Sequence, residues 1–428
     1  MSLSFDMTLC PFEMNRYNVN LQINMRNTGQ VGMLDDVARR LAGQTYEIKH
    51  VEAILLRAKI EVPVQTSFGT MYDRPALLVR ISDVDGCVGH GEIWCNFPSR
   101  GAEYKASLLV NEFAHWLKGR RFNCPAEVFD GLTAAFTVLG LQTADPGTLL
   151  QVIAGVDQAL WDMVARRQGM RLCALFGAPG DAVKAYASGI HPKEARERVQ
   201  LALESGFTAF KVKVGFGEEV DQAGLAVARE LIGEDHQLMI DANQAWMSPQ
   251  QAADNINALS HFDLKWIEEP LRASAAPSQW QELNKMISVP LAGGENLPTL
   301  NAVDAYQAQA LFAFVQPDIG KIGGFTGLLR IFGGRDTVKL SSKSVYCPHW
   351  LGGMVGLAAS AHLLTVIGDA GLLEVDVNDN PIRDSLADWD LRPTKVGRIE
   401  LPEDDGIGII PDLSAMKDRG VHVTIMPG

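Results

Sequence analysis

The sequence predicts an α/β protein in which a (β/α) barrel follows a smaller α+β domain. Three observations support this fold class. From about residue 185 onward, short apolar strands alternate with helical segments at a spacing of roughly 23 to 31 residues. Eight such strands are present, and eight units close a barrel in about 250 residues. Ionisable residues also stand where the strands end. A doubly wound open sheet has the same local rhythm and is the alternative.

Two segments precede the barrel. Residues 1–46 form an N-terminal extension to which the sequence assigns no chemistry, although VGMLDDVARRLAG predicts one short helix. Residues 47–180 form the α+β domain. Its stretches YEIKHVEAILLRAKI and PALLVRISDVDGCVGHGEIW, with the turn residues Asp85 and Gly86, predict a short antiparallel meander. YKASLLVNEFAHWLKG and TLLQVIAGVDQALWDMVARRQG predict the helices that follow.

The predicted barrel occupies residues 181–380. Its helices carry start signals, such as Ser248 as a cap followed by Pro249 in the first turn. The predicted strands are residues 185–190, 209–215, 237–243, 264–270, 289–296, 312–320, 343–350 and 372–377. Residues 381–428 are rich in Pro, Gly and Asp, and we expect this C-terminal segment to return to the first domain.

The composition excludes several classes of partner. The chain has 428 residues, of which 47% are hydrophobic and 21% charged, as in a soluble globular protein with a large core. Its formal net charge is −13. Nucleic acid and anionic membranes bind proteins that present a basic face, so neither is an expected partner. Small molecules are therefore the expected partners.

The cysteines and the longest apolar run indicate the compartment. The six cysteines are scattered without CxxC spacing, and no basic region precedes an apolar run at the N-terminus. These features predict a reduced, cytoplasmic protein. The uncharged run 350–368 approaches the length that spans a membrane, but it is rich in Gly, Ala and Ser and contains His362. It therefore predicts a buried helix.

Every strand from the second to the eighth ends near at least one ionisable side chain. The carboxyl ends of barrel strands meet at one face, where barrel enzymes have their active sites. Buried like charges are costly unless they are paired or bind a metal, so a purely structural explanation of the whole set is disfavoured. In strand order the residues are Lys211, Lys213, Asp241, Glu268, Glu269, Glu295, Asp318, His349 and Glu374.

Three of these carboxylates predict a metal site. Asp241, Glu268 and Glu295 come from adjacent strands and include neither a thiolate nor an imidazole. An all-oxygen donor set of this charge suits Mg²⁺, whereas zinc recruits His or Cys. Asn243 follows Asp241 by two positions and is expected on the same face as a supporting donor.

Two further pairs predict proton transfer. The two lysines and the pair formed by His349 and Asp318 are expected to flank the metal from opposite sides of the barrel. A neighbouring cation and a divalent metal lower the pKa of a lysine, so Lys211 is expected to help Lys213 accept a proton. Asp318 is expected to fix the tautomer of His349 by a hydrogen bond. The hypothesis is that two bases act on two faces of one carbon.

A carbon α to a carboxylate matches this arrangement. Removing its proton makes an enolate whose second negative charge falls on the carboxylate oxygens, and Mg²⁺ supplies the stabilisation that this charge requires. Glu374 could donate a hydrogen bond if it is protonated.

Taken together, the motifs resemble the enolase superfamily, and within it the mandelate racemase subgroup, the mandelate racemase/muconate lactonizing enzyme family. The resemblance covers about residues 47–415. The motifs are KVK at 211–213, DAN at 241–243, IEEP at 267–270, GGEN at 293–296, PDIGKIGG at 317–324, CPH at 347–349 and LE at 373–374. Each is weak alone, but their combination is specific.

The resemblance implies a (β/α)₇β modified TIM barrel covered by an α+β capping domain built from both ends of the chain. It implies Mg²⁺ on Asp241, Glu268 and Glu295, with the first glutamate of IEEP as the ligand. It also implies that Lys213 is the base and that Lys211 contacts the substrate carboxylate. His349, with its partner Asp318, would be the opposite acid or base, and Glu374 the electrophile.

One position separates subgroups of this family. Muconate lactonising and dipeptide epimerase relatives carry a lysine as second base where this chain has Asp318. Lys321, in the KxGG motif that follows, is therefore expected to have a supporting role, and His349 is expected to be the second base.

The resemblance leaves the substrate open. It favours dehydration of an acid sugar, with racemisation or epimerisation of a 2-hydroxy acid as the alternative and a catalytically silent binding barrel as a third. Specificity is expected from TSFGTMYDR (66–74) and EIWCNFPSR (92–100), with Arg74 as a candidate contact; their aromatic residues could equally pack the cap onto the barrel. A small carboxylate is the expected ligand, and the chain is expected to be a homo-oligomer.

Overall fold

The computed structural model describes residues 32–66, 69–178, 180–333, 344–368 and 370–428. The strands are β1 (Tyr46–Gln65), β2 (Thr70–Asp83), β3 (Val88–Ile93), β4 (Arg121–Phe122), β5 (Ala182–Ile190), β6 (Ala209–Lys213), β7 (Gln237–Asp241), β8 (Leu264–Glu268), β9 (Leu291–Gly293), β10 (Phe314–Val315), β11 (Val345–Tyr346), β12 (Leu373–Asp376), β13 (Arg398–Glu400) and β14 (His422–Pro427).

The helices alternate with the barrel strands and also cover the first sheet. They are α1 (Met33–Arg40), α2 (Gly101–Leu108), α3 (Ala114–Leu117), α4 (Pro125–Thr143), α5 (Pro146–Arg167), α6 (Leu172–Leu175), α7 (Ala195–Glu204), α8 (Glu218–Ile232), α9 (Pro249–Leu259), α10 (Pro277–Met286), α11 (Leu300–Ala308), α12 (Gly324–Phe332), α13 (Met354–Ile367) and α14 (Leu413–Asp418). A π-helical turn, Leu109–Phe113, joins α2 to α3.

The first sheet is antiparallel and has the order β14-β1-β2-β3, with β4 also pairing with β1. Strand β14 comes from the C-terminal end of the chain and pairs with β1 from Glu52 opposite Pro427 to Arg57 opposite His422. Strands β2 and β3 pack against α5, most of whose residues are buried, and β1 packs against α2, α3 and the turn between them. Both ends of the chain thus contribute to one sheet.

The second sheet forms the barrel. Its order is β11-β10-β9-β8-β7-β6-β5-β12, and the neighbours along this path run parallel. At the remaining seam, the backbone N–H of Leu372 donates to the sulfur of Cys347 at 3.4 Å, which brings the ends of the path together. All eight strands that the sequence predicted are present, and the barrel is confirmed over the doubly wound alternative.

Alternation along the strands explains where the charges lie. On β6, Phe210 and Val212 point into the main apolar core around the barrel, while Ala209 belongs to a small apolar cluster inside it. Lys211 and Lys213 follow Ala209 at intervals of two on this inner face, because side chains alternate along a strand. Apolar residues therefore fill the base of the barrel and charged residues its upper layers.

Local signals that were read from the sequence are observed. Ser248 caps α9 by accepting a hydrogen bond from Gln251 N at 3.2 Å. The uncharged run near residue 350 forms the buried helix α13, and the short N-terminal helix is α1. None of the helices in the described part of the chain combines the length and apolar character needed to span a bilayer.

Candidate active site

The charged cluster lies at the carboxyl ends of adjacent barrel strands. In the sheet register Lys213 of β6 pairs with Asp241 of β7, and Asp241 pairs with Glu268 of β8. Glu295 follows the end of β9 by two residues. All four are buried, with at most 7% of each residue exposed. The structure thus brings these predicted site residues together at one face.

Neighbouring donors hold two of the three predicted metal ligands. Asp241 accepts hydrogen bonds from the backbone N and the Nδ2 of Asn243 at 2.8 and 2.9 Å, which is the supporting position expected for Asn243. Glu268 accepts from Gln316 Nε2 at 2.6 Å and from Lys211 Nζ at 2.7 and 2.8 Å. Burial raises the pKa of Glu268 to about 7, although the nearby Lys211 lowers it.

The third predicted metal ligand, Glu295, is held by Asn296 and Lys321. Asn296 Nδ2 donates to Glu295 Oε1 at 2.6 Å and to Glu269 Oε2 at 2.7 Å. Lys321 Nζ donates to Asn296 Oδ1 at 3.1 Å and lies 3.8 Å from Glu295 Oε2. Burial and the nearby Glu295 carboxylate together raise the pKa of Glu269 to about 8. Because its carboxylates are buried close together, further negative charge would destabilise this cluster.

The donor set fits a divalent cation. Within the described residues no group of three or more His, Cys, Asp or Glu side chains is arranged as a complete metal site. With every group ionised, the linked cluster nevertheless carries six carboxylates against four cations, a deficit of two positive charges that an oxygen-binding divalent ion would balance. Its members are Asp241, Glu268, Glu269, Glu295, Asp318 and Glu374, with Lys211, Lys213, Lys321 and His349.

The imidazole and its carboxylate form a hydrogen-bonded dyad. His349 Nδ1 lies 2.7 Å from Asp318 Oδ2, and Asp318 is fully buried. His349 Nε2 lies 2.5 Å from Glu295 Oε2. Burial lowers the pKa of His349, but the Glu295 and Glu374 carboxylates and the hydrogen bond to Asp318 outweigh it and raise the pKa to about 10. Donation from Nδ1 leaves Nε2 as the atom that exchanges a proton in the cavity.

The two lysines lie in different surroundings. Lys213 lines the cavity, where its Nζ donates to Asn243 Oδ1 at 2.6 Å. Lys211 lies below, with its Nζ 2.7 Å from both Glu268 and Glu374. Burial lowers the pKa of Lys211, but these two carboxylates raise it well above its usual value. Lys211 is not among the residues that line the cavity, and its contact to the substrate carboxylate stays a prediction.

Glu374 is held as a carboxylate. It accepts hydrogen bonds from Ser188 Oγ at 2.5 Å and from the backbone N of Trp350 at 3.0 Å. Burial raises its pKa, but Lys211 and His349 lower it more, so that the pKa lies below the usual value for glutamate. The conditional donor role for a protonated Glu374 is therefore not the one these contacts favour.

A cavity of about 660 Å³ opens over this cluster between the barrel and the cap. The first domain contributes an aromatic and polar edge, and the barrel contributes the charged floor. The lining residues are Thr66, Trp94, Asn96, Phe97, Ser188, Gly189, Lys213, Asp241, Asn243, Gln244, Ala245, Arg272, Glu295, Asn296, Lys321, His349, Leu351 and Glu374. Residues 67–68 of the first predicted specificity segment, including Phe68, lie outside the described residues.

One predicted contact lies elsewhere. Arg74 is buried in an ion pair with Asp376 at 2.5 Å and donates to the carbonyl of Asp379 at 3.2 Å. It does not line the cavity, and Asp376 neutralises its charge. A contact between Arg74 and the substrate stays a prediction. Lys321, by contrast, does line the cavity and lies 4.4 Å above the ring of Trp94.

Sequence reasoning missed several lining residues. Ser188 stands near the carboxyl end of β5 and binds Glu374, and Asn296 bridges two glutamates. Both residues are uncharged, so they were not among the ionisable residues predicted at the strand ends. Their positions at or just after the ends of strands could have indicated them. Arg272, in the segment after β8, had no comparable signal.

The fold and the site define a barrel enzyme that has charged residues at its carboxyl face and a capping domain. The enolase C-terminal domain-like model matches residues 194–415, and the model of the N-terminal domain of mandelate racemase/muconate lactonizing enzyme matches residues 50–177. The chain therefore belongs to the mandelate racemase/muconate lactonizing enzyme family of the enolase superfamily, as the motifs indicated.

Individual relatives agree with this family. The chain is 40% identical to a mandelate racemase/muconate lactonizing enzyme of known structure from Bordetella bronchiseptica RB50, with a TM-score of 0.78, covering 88% of this chain and 99% of that one. It is 26% identical to an enolase from Bradyrhizobium complexed with magnesium and mandelic acid, with a TM-score of 0.76 over 88% and 99% of the two chains. It is 34% identical over 263 residues, 60% of this chain and 63% of the other, to an L-talarate/galactarate dehydratase from Salmonella typhimurium.

Proposed function

We propose that this protein removes the proton α to a substrate carboxylate with the help of Mg²⁺, and that its substrate is an acid sugar from which water is then eliminated. One observation carries the proposal. Lys213, at the end of the second barrel strand, and His349, in the loop after the seventh, line the same cavity together with Asp241 and Glu295, two of the carboxylates that suit Mg²⁺. Two proton-transfer groups on opposite sides of one space can reach the two faces of a single carbon.

The residues would divide the reaction as follows. Lys213 Nζ accepts the α proton. His349 Nε2 delivers a proton to the departing hydroxyl group, while Asp318 holds its Nδ1 at 2.7 Å. Asp241, Glu268 and Glu295 would hold the metal, which when bound supplies positive charge beside the substrate carboxylate. Glu374, supported by Ser188 and Lys211, borders the same space.

The polarity of the cavity wall supports a polyhydroxy substrate. Hydroxyl, amide and cationic side chains outnumber apolar ones along the wall, and such groups can bind several hydroxyls at once. The likeness to a dehydratase that acts on talarate and galactarate favours the same class.

Racemisation of a 2-hydroxy acid is the second candidate. Trp94 and Phe97 lie at the cap edge with ring centroids 6.4 Å apart, and could contact an aromatic substrate. A structural relative was crystallised with mandelic acid. The same two bases would then act in turn on opposite faces, without loss of water.

Parallel assays of product distinguish the two. The protein with Mg²⁺ is incubated in deuterated water with galactarate, with aldonic acids and with each enantiomer of mandelate. We expect a keto product from an acid sugar, and a change of optical rotation without keto product would favour racemisation. Lys213→Ala and His349→Asn should each lower turnover by at least about 100-fold, whereas Lys285→Ala, an exposed lysine on α10, should not. Turnover that survives loss of both bases would refute the proposal.

Two further expectations remain proposals. The five cysteines within the described residues are not paired in disulfides, which agrees with the expected cytoplasmic location. Val138 and Leu141 on α4 are 64% and 72% exposed, which agrees with an interface between copies of the chain. Fractionation of the producing cell and sedimentation of the purified protein test these two expectations; a monomer at micromolar concentration would contradict the second.

A further inference from the structure

Two loops carry the acid–base dyad, residues 318–321 after β10 and residues 349–353 after β11, and both are tied to one strand of the other domain. That strand is β3, and its residue Glu92 does not line the cavity. We propose that Glu92 is a positioning residue that sets the orientation of His349 toward Asp318. This inference rests on the proposed function of His349.

The first tie is between Glu92 and the loop of His349. Glu92 is 1% exposed, and its two carboxylate oxygens accept hydrogen bonds from Gly353 N at 2.6 Å and Gly356 N at 2.9 Å. These groups belong to the start of α13, whose first amides lack partners within the helix. A Cβ on Gly353 would lie 2.9 Å from Glu92 Oε1. The carboxylate therefore rests directly on the helix start that follows His349.

The second tie is between the same strand and the loop of Asp318. Gln158 of α5 exchanges two hydrogen bonds with the backbone of Glu92, at 3.2 and 3.0 Å, and its Nε2 also lies 3.3 Å from the carbonyl of Ile319. Trp94 N donates to the carbonyl of Gly320 at 3.4 Å. Residues 92–94 thus contact the loops of both dyad members.

The strand itself has little freedom to move. A Cβ on Gly91 would lie 2.1 Å from the carbonyl oxygen of Gly155, and one on Gly89 would lie 2.1 Å from that of Ala159. These glycines let β3 contact the backbone of α5 directly, which explains the sequence GHGE that the catalytic motifs leave unassigned. A strand fixed in this way can transmit the position of α5 to both loops.

The Lys213 side of the barrel offers a matched control. Asp221 is also buried, and its carboxylate accepts hydrogen bonds from Gly215 N at 2.8 Å and Phe216 N at 3.2 Å, in the loop after β6 that carries Lys213. Each proposed base is therefore followed by a loop whose amides are held by one buried carboxylate. Removing one carboxylate at a time should affect one base at a time.

Replacing Glu92 by Gln should disturb only the His349 side. An amide has one acceptor oxygen, so its NH₂ group would face one of the two backbone donors. In the full-length protein with Mg²⁺, we expect Glu92→Gln to shift or broaden the downfield NMR signal of the proton between His349 and Asp318, identified by its loss in His349→Asn. Asp221→Asn should leave that signal unchanged. Glu92→Asp, which keeps the charge but shortens the side chain, should give an intermediate shift.

Kinetics provide the second readout, with galactarate as the probe in deuterated water. Glu92→Gln should lower product formation by about 10- to 100-fold, the usual cost of losing a residue that orients a catalytic group, with KM and α-proton exchange through Lys213 little changed. An unshifted imidazole signal, or an equal loss of exchange and product, would overturn the positioning role. A wrong assignment of His349 would give a different result from these two, because His349→Asn would then leave product formation intact.

Discussion

Replacing Asp318 by Asn should reverse the tautomer of His349. The two oxygens of Asp318 have separate tasks: Oδ1 accepts from the backbone N of Gly320 at 2.7 Å and of Lys321 at 3.1 Å, and Oδ2 lies 2.7 Å from His349 Nδ1. Asparagine has one acceptor oxygen. Because two backbone donors require it, the amide oxygen should take the Oδ1 position and the NH₂ group should face the imidazole.

The magnitude follows from the cost of the opposite orientation. Turning the amide over would leave Gly320 N, a buried backbone donor, facing an NH₂ group, whereas Lys321 N would keep its bond to the Asp318 carbonyl at 3.1 Å. The orientation with NH₂ toward His349 is therefore favoured by about 1–3 kcal/mol. In that orientation Nδ1 must accept, so the doubly protonated imidazolium that delivers a proton from Nε2 is no longer stabilised. In the serine protease triad the equivalent change lowers kcat by about 10⁴, and we expect a loss of about 10² to 10⁴ here.

The assay separates the two bases. Product formation from the best acid sugar substrate reports His349, and α-proton exchange with deuterated water reports Lys213. Asp318→Asn should suppress the first and largely spare the second, and Asp254→Asn, an exposed residue of α9, should change neither. Product formation within threefold of the unmodified protein would refute the reasoning, as would an equal fall in exchange.

Three other changes test separate features. Glu295→Gln removes one negative charge from the buried cluster and should weaken Mg²⁺ binding by at least about 10-fold in calorimetry; an unchanged affinity would contradict its assignment as a ligand. Gly91→Ala places a Cβ 2.1 Å from Gly155 O and should lower the free energy of unfolding by about 1–3 kcal/mol in a urea titration. Gly147→Ala, in the first turn of α5 with no atom within 4 Å of its Cβ, should be neutral or stabilise by up to about 1 kcal/mol. Burial lowers the pKa of His362 to about 3. As the pH falls, the unfolded chain therefore protonates this histidine before the folded chain does. The stability that neutral His362 contributes is complete above its ordinary pKa of about 6.5 and is lost toward pH 3. Between pH 7 and 5, His362→Gln should lose about 2 kcal/mol less stability than the unmodified protein; parallel curves would contradict this.

Much of the barrel could be predicted because its information is local. A parallel strand buried on both sides shows as a short apolar run, and the polar residues that follow it mark the active face. The register then brings Lys213, Asp241 and Glu268 side by side without further information. The strand ends were predicted less well: β10 and β11 contain two residues each, far fewer than their apolar runs suggested.

Features that depend on distant partners could not be predicted. Arg74 was expected in the cavity because of its place in a cap segment, but its partner Asp376 lies 302 positions away in the chain. The close approach of Gly91 to Gly155 likewise exists only once β3 and α5 are in contact. Such contacts need tertiary structure, because neither residue alone departs from an ordinary strand or helix pattern.

The depth of the two lysines explains why one strand carries both. Successive inward residues on β6 are two positions apart, about 6.6 Å along the strand, so Lys211 lies one layer below Lys213. At that depth Glu268 and Glu374 would face each other as buried like charges, and the Nζ of Lys211, 2.7 Å from each, neutralises their repulsion. Lys213, one layer higher, is left to face the cavity. The alternation that places both lysines on one face thus gives them different roles: the lower one stabilises the carboxylates, and the upper one is available to exchange a proton.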